Sequence, residues 1–207
     1  MQSSAPRQNR VTPTGDIISH PARGHLMGNR GCLHDDHGRL RQARWKTKAW
    51  ISCRLDFPGR RRRIMSPGHY TELFFLDEAT ALAAGHRPCF ECRREAALAF
   101  RSAWQKAVGE ISRVSEIDQI LHAARVWPRT RRQRRISADI RDLPVGAFIL
   151  HDSMPHLVRA RCILRWSPDG YGAPAAHPHI PVSVLTPAPM LKTLAAGYRP
   201  EMLADFV

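Results

Sequence analysis

No stretch of this 207-residue chain comes near the twenty consecutive apolar residues of a membrane-spanning helix, so no membrane partner is expected. The opening residues, MQSSAPRQNR, lack the apolar core of an export signal, which leaves the cytoplasm as the expected compartment. Cysteine is scarce and odd in number. Five thiols fit a reduced chain carrying a metal site better than a disulfide framework. Acidic residues are also in short supply, 18 against 32 Lys and Arg, for a formal net charge of +14. That excess favours a polyanionic partner, DNA or RNA, with a solvated basic surface as the plainer alternative. Complete catalytic fingerprints are missing too: there is no phosphate-cradling Walker loop, no dinucleotide-binding glycine pattern and no full nuclease signature.

What is present is concentrated in residues 73–94, LFFLDEATALAAGHRPCFECRR. Residues 73–76 form a short apolar run of strand length. Asp77 can N-cap the alanine-rich segment that follows, and Glu78 suits the positive end of a helix. Gly85 supplies a left-handed C-terminal residue, and Pro88 stops the helix from resuming. The turn then delivers Cys89 and Cys92. Two intervening residues allow both thiolates to converge on one ion, as zinc sites commonly do. A redox pair or two incidental thiols are the alternatives, but a redox pair normally opens a helix after a strand.

Phe74, Phe75, Glu78, Ala79, Gly85, Arg87, Pro88, Cys89 and Cys92 together resemble the second half of the zinc-binding domain of Ada-type DNA repair proteins. The likeness covers about twenty residues. In that family four cysteines hold zinc, and one of them also accepts a methyl group from DNA phosphotriesters. Only the second cysteine pair is matched here, by Cys89 and Cys92. The upstream neighbourhood of the family's first pair is occupied by Arg60, Arg61, Arg62 and Arg63, so the resemblance assigns no methyl acceptor.

The rest of the chain reads as α+β. An Ada-like metal-binding domain is expected over residues 1–110, a helix and basic linker over 111–135, and a small antiparallel β-rich domain over 136–207. Residues 1–10 are polar and expected to fray, and Ile17 and Ile18 suit an edge strand. Residues 21–36 pack Gly24, Gly28 and Gly31 among histidines and aspartates and read as a loop. A strand is expected over 45–57, with 60–65 as its hairpin partner across Pro58-Gly59. Helices follow over 92–108, with Ala96, Phe100, Ala103, Trp104 and Ala107 on one face, and over 115–125, with Ser115 and Asp118 as a capping pair and Ile117, Ile120, Leu121 and Ala124 inward. His122 and Arg125 fall off that stripe. The arginine-dense tract 125–135 cannot pack on itself and is expected to be mobile. Three segments, LPVGAFIL, HLVRARCILRW and VSVLTP, read as strands, with Cys162 as a small core residue and His177 and His179 in a loop. The word LAAGYRP at 194–200 echoes LAAGHRP at 82–88, as a duplication or as two helix stops.

Zinc asks for four soft or borderline ligands. Cys89 and Cys92 supply two, and Cys53 and Cys32 are the next candidates, with His34 able to replace Cys32. His69 and His86 are weaker choices. A closed Zn²⁺ site of this kind contributes on the order of 10–16 kcal/mol to a small domain. Two functions follow. In one, a zinc-stabilised protein grips DNA or RNA through Arg60, Arg61, Arg62 and Arg63 and through Arg129, Arg131, Arg132, Arg134 and Arg135, with Trp127 stacking on a base. In the alternative, loop 24–37 is the site of a metal-dependent nuclease or another phosphodiester-processing enzyme, using His25, His34, Asp35, Asp36 and His37. A methyl-scavenging thiolate at Cys53 or Cys32 is a third reading.

Overall fold

The segment at 77–86 folds as its residues dictate. Helix α1 (Glu78–Ala83) starts at Asp77, whose carboxylate accepts from the Thr80 amide at 2.9 Å. It ends where Gly85 takes φ +85°, with His86 N–H donating to the Ala81 carbonyl and Gly85 N–H to that of Leu82. Those two bonds make a Schellman stop. Six residues are too few for a helix to persist alone, so packing must hold it. All six are buried.

The computed structural model describes residues 5–59, 63–110 and 113–205. The architecture is α+β, with two six-stranded sheets around α1. In the N-terminal sheet the chain runs β1 (Gln8–Val11), β2 (Ile17–Ser19), β3 (Leu26–Asn29), β4 (Ile51–Cys53) and β5 (Leu73–Phe75), then α1 and β6 (Arg87–Pro88). The spatial order is β2-β1-β5-β3-β4-β6, with β1–β5 and β4–β6 parallel and the other pairs antiparallel. Helices α2 (Arg94–Ala107) and α3 (Val114–Arg125) follow. The second sheet is antiparallel throughout: β7 (Ile136–Ala138), β8 (Phe148–His151), β9 (Met154–Val158), β10 (Ile163–Ser167), β11 (Gly170–Ala175) and β12 (Val182–Val184), in the order β11-β10-β9-β8-β12-β7. Helix α4 (Ala188–Ala195) comes last and ends on the same pair of bonds as α1: Gly197 N–H to Leu194 and Tyr198 N–H to Thr193. The repeated word is therefore a shared helix stop. No described helix is long and apolar enough to cross a membrane.

Helix α1 joins three cores. Leu82 packs with Phe100, Trp104, Ile117, Leu121 and Met190. Ala81 and Ala84 face Val11, Leu26, Leu73 and Phe75. Ala79 and Ala83 meet Phe148, Leu157, Trp166 and Leu185 of the second sheet.

Several expectations are corrected. The start of the chain does not fray from residue 8 onward, because β1 pairs with β2 and β5. Part of the loop expected over 21–36 is an interior strand, β3. Its glycine serves close pairing rather than turning: a Cβ on Gly28 would lie 2.2 Å from the Ile51 carbonyl oxygen. The long strand expected over 45–57 shrinks to β4, and both its edges are filled by β3 and β6. The hairpin partner does not form in its described part: residues 64 and 65 are a turn, with Met65 at φ +56°. No Ser115–Asp118 capping pair forms, since α3 starts at Val114 and Asp118 is engaged elsewhere. Ile120 is 40% exposed, whereas Arg125 is buried. The tract 125–135 folds back as a turn, with Val126 bridged to Gln133. The Gln133 amide nitrogen lies 2.9 Å from the Pro13 carbonyl, 3.0 Å from that of Leu185 and 3.3 Å from that of Ala83.

Candidate metal centre

Two parallel strands set the site. Ile51 lies opposite Arg87 and Ser52 opposite Pro88, so the next positions along β4 and β6 are Cys53 and Cys89. The Cys89 amide donates to the Ser52 carbonyl at 2.9 Å and fixes that register. Pro88 has no N–H to offer a further strand, and β6 lies at the sheet edge, where proline is tolerated. The chain then turns, Arg93 N–H donating to the Cys89 carbonyl at 3.1 Å, and Cys92 swings back. The three sulfurs of Cys53, Cys89 and Cys92 lie within 4.8 Å of one another and can hold a metal ion. Cys53 and Cys89 are buried, and Cys92 is partly exposed.

Two buried ion pairs clamp this knuckle. Arg87, just before Pro88, makes a bidentate pair with Asp118 of α3, both contacts at 2.8 Å. Arg93, just after Cys92, meets Glu78 of α1 at 2.8 Å and also donates to Ser52 Oγ. Glu78 accepts further bonds from Tyr198 Oη at 2.6 Å and from the Glu201 amide at 3.0 Å. Sequence reading gave Glu78 only a helix-end role. It also fixes the knuckle through Arg93, fifteen positions on, and holds the C-terminal segment 198–201 through partners more than a hundred positions away, which no local pattern signals.

The thiols are electrostatically unequal. Donation from the Cys53 thiol, aided by the amides of Cys92 and Glu91, draws Cys89 down to about 5. The same contact with Cys89, together with burial, pushes Cys53 up. Burial raises Cys92. The cluster therefore favours one thiolate, on Cys89, and a bound cation would displace the remaining protons. Three sulfur donors suit Zn²⁺, Cu⁺ or an iron–sulfur cluster better than a hard cation. All three cysteines line an open cleft of about 600 Å³, with Met27, Tyr70, Glu72 and Phe74 on its walls.

Cys32 and His34 do not join the cluster. Because β3 runs antiparallel to β4, Met27 faces Cys53 and Asn29 faces Ile51, so the chain beyond Asn29 leaves at the far end of β4. Cys32 there donates to the His34 carbonyl, at 3.7 Å from sulfur to oxygen. His34 is buried, with Nδ1 2.7 Å from Thr71 Oγ1 and Nε2 3.3 Å from the Ser66 carbonyl, so both ring nitrogens are engaged. His25, His34, Asp35, Asp36 and His37 do not gather into a second metal-binding group among the described residues. Asp35 instead caps its own turn, accepting from the amides of His37 and Arg39.

Of the expected nucleic-acid contacts, Arg60, Arg61 and Arg62 lie outside the described residues, and Arg63 is exposed. Arg129, Arg131, Arg132 and Arg135 are exposed on the turn after α3. Arg134 is half-buried, its guanidinium 3.8 Å from the centre of the Trp127 ring, so that part of this half-exposed indole is already covered. Comparison with family models, curated proteins and solved structures finds no match for this chain.

Proposed function

We propose that the protein binds one zinc ion through Cys53, Cys89 and Cys92 and uses its arginine surface to bind nucleic acid, DNA foremost, in the cytoplasm. The convergence of three sulfurs from β4, the end of β6 and the knuckle turn carries this reading. Zinc is the borderline-soft ion that such Cys-x2-Cys frameworks usually take. Three thiolates leave a tetrahedral ion one position for a fourth ligand, and the cleft beside the cysteines is the side from which that ligand would come. The net charge of +14 and the exposed arginines at 129, 131, 132 and 135 support the polyanion partner.

Elemental analysis and X-ray absorption on purified protein test the centre. One zinc per chain with three sulfur neighbours is expected, lost in Cys89→Ser; protein that folds normally without metal would overturn it. Fluorescence anisotropy with duplex DNA and with RNA tests the partner. Affinity should fall steeply, on the order of a hundredfold or more, between 50 and 200 mM salt. No binding to either polymer at low salt would end the nucleic-acid half of the reading and leave the zinc half standing.

A further inference from the structure

A second cavity, of about 590 Å³, lies apart from the cysteines. It has the volume of a small-ligand site. Six arginines line it: Arg30, Arg44, Arg125, Arg131, Arg132 and Arg135. Among the described lining residues the acidic one is Asp16.

Two of these arginines are unusual. Arg30 is 2% exposed and Arg125 is 1% exposed, yet among the described residues neither has a carboxylate within ion-pairing distance. Their guanidiniums lie 4.1 Å and 3.6 Å from the centre of the Trp50 ring. Backbone carbonyls and neutral imidazoles take part of their hydrogen bonds: Arg30 donates to Gly15 O and His86 Nε2, and Arg125 to Gly85 O and Lys48 O. Arg30 Nη2 and Arg125 Nε have no hydrogen-bond partner among the described residues. A buried charge without a counter-charge is costly, and the buried guanidiniums of Arg87 and Arg93 beside the knuckle each meet a carboxylate. Burial draws Arg30 down to about 9, with Asp16 opposing and Arg44 adding to it, and burial followed by Arg30 draws Arg125 down against the opposing charge of Asp118.

We infer that this cavity is an oxyanion site that takes the phosphate of a nucleotide-sized ligand, with Arg30 and Arg125 at its base and Arg131, Arg132 and Arg135 at its rim. Planar guanidinium forks match phosphate oxygens two at a time. Trp45, half-exposed on the cavity wall and packed against Trp50 and His122, adds aromatic surface for the rest of the ligand. The inference shares Arg131, Arg132 and Arg135 with the proposed polymer surface, and inorganic phosphate alone tests it separately.

The test is isothermal titration calorimetry on the purified 207-residue protein as isolated, with inorganic phosphate, a nucleoside 5′-monophosphate, and one oligonucleotide with and without a 5′-phosphate. Saturable one-site binding of phosphate and of the monophosphate is expected. The double variant Arg132→Ala, Arg135→Ala changes only exposed rim residues. It should weaken binding about tenfold or more while leaving the melting temperature unchanged. Preference for the phosphorylated oligonucleotide over its hydroxyl form would assign the phosphate to a nucleic-acid end, and equal binding of those two would assign it to a free nucleotide or phosphate. No saturable binding of any phosphate, or binding indifferent to the double variant, would overturn the site.

Discussion

At the scale of single residues, burial decides more than position in the chain. His86 is fully enclosed beside Arg30, with its ring 4.6 Å from that of Phe75. Burial first, then Arg30 and Arg125, hold its imidazole well below the usual histidine range. The unfolded chain takes up that proton more readily, so His86 supports folding above about pH 6.5 and loses that support as pH falls below it, by up to about 1.4 kcal/mol per pH unit. Urea titrations at pH 7.5 and 5.5 should show the loss in the wild type and a smaller loss in His86→Asn. Sulfur positions make a second residue-scale prediction. Cys32→Ser should keep a full zinc equivalent by elemental analysis, because Cys32 sits beyond the far end of β4, whereas Cys53→Ser should not. The sequence made Cys89 and Cys92 legible through their spacing and offered Cys53 and Cys32 together as the next candidates. It could not separate Cys53 from Cys32, because that choice depends on which way β3 runs past β4. Arg30 and Arg125 were invisible as buried groups, since an arginine in a glycine-rich stretch or at a helix end carries no mark of what will cover it.

Among elements, the short pieces read best where capping chemistry is explicit. Asp77, Gly85 and Pro88 announce α1 and its stop, and the same kind of stop closes α4. Strands read poorly. β3 hides behind glycines that permit close approach, and β6 is two residues long. The join between α3 and the knuckle was missed for a related reason. Asp118 has the spacing of a helix-capping partner, yet it turns to Arg87 across 31 positions. That pair is buried on both sides. Removing one partner leaves an uncompensated charge, so Asp118→Ala should cost roughly 3–5 kcal/mol by chemical denaturation. Because Arg87 adjoins Pro88 and Cys89, the same variant should also bind zinc more weakly in a chelator competition. A variant that loses stability but competes like the wild type would uncouple the clamp from the centre.

Across the whole molecule, the α+β class was legible from the helical periodicity of α2 and α3 and the strand-rich composition of residues 136–207. How the sheets meet was not. A metal ion held by Cys53, Cys89 and Cys92 would join β4 to the knuckle turn, so removing it should be felt well beyond three sulfurs. Chelation should lower the melting temperature markedly, and refilling with zinc should restore it, as expected when ligand binding is linked to folding. A scan unchanged by chelation would show that the fold stands without the ion.

Helix α1, enclosed on every side and shared by three cores, has a consequence for how the chain can be dismantled or inherited. A protease nick on either flank should liberate no durable fragment, because each piece would expose a groove shaped for the missing rod. Gene fragments that part residues 5–110 from 113–205 should likewise yield insoluble products unless co-expressed, and lineages carrying this chain should gain or lose it as one block.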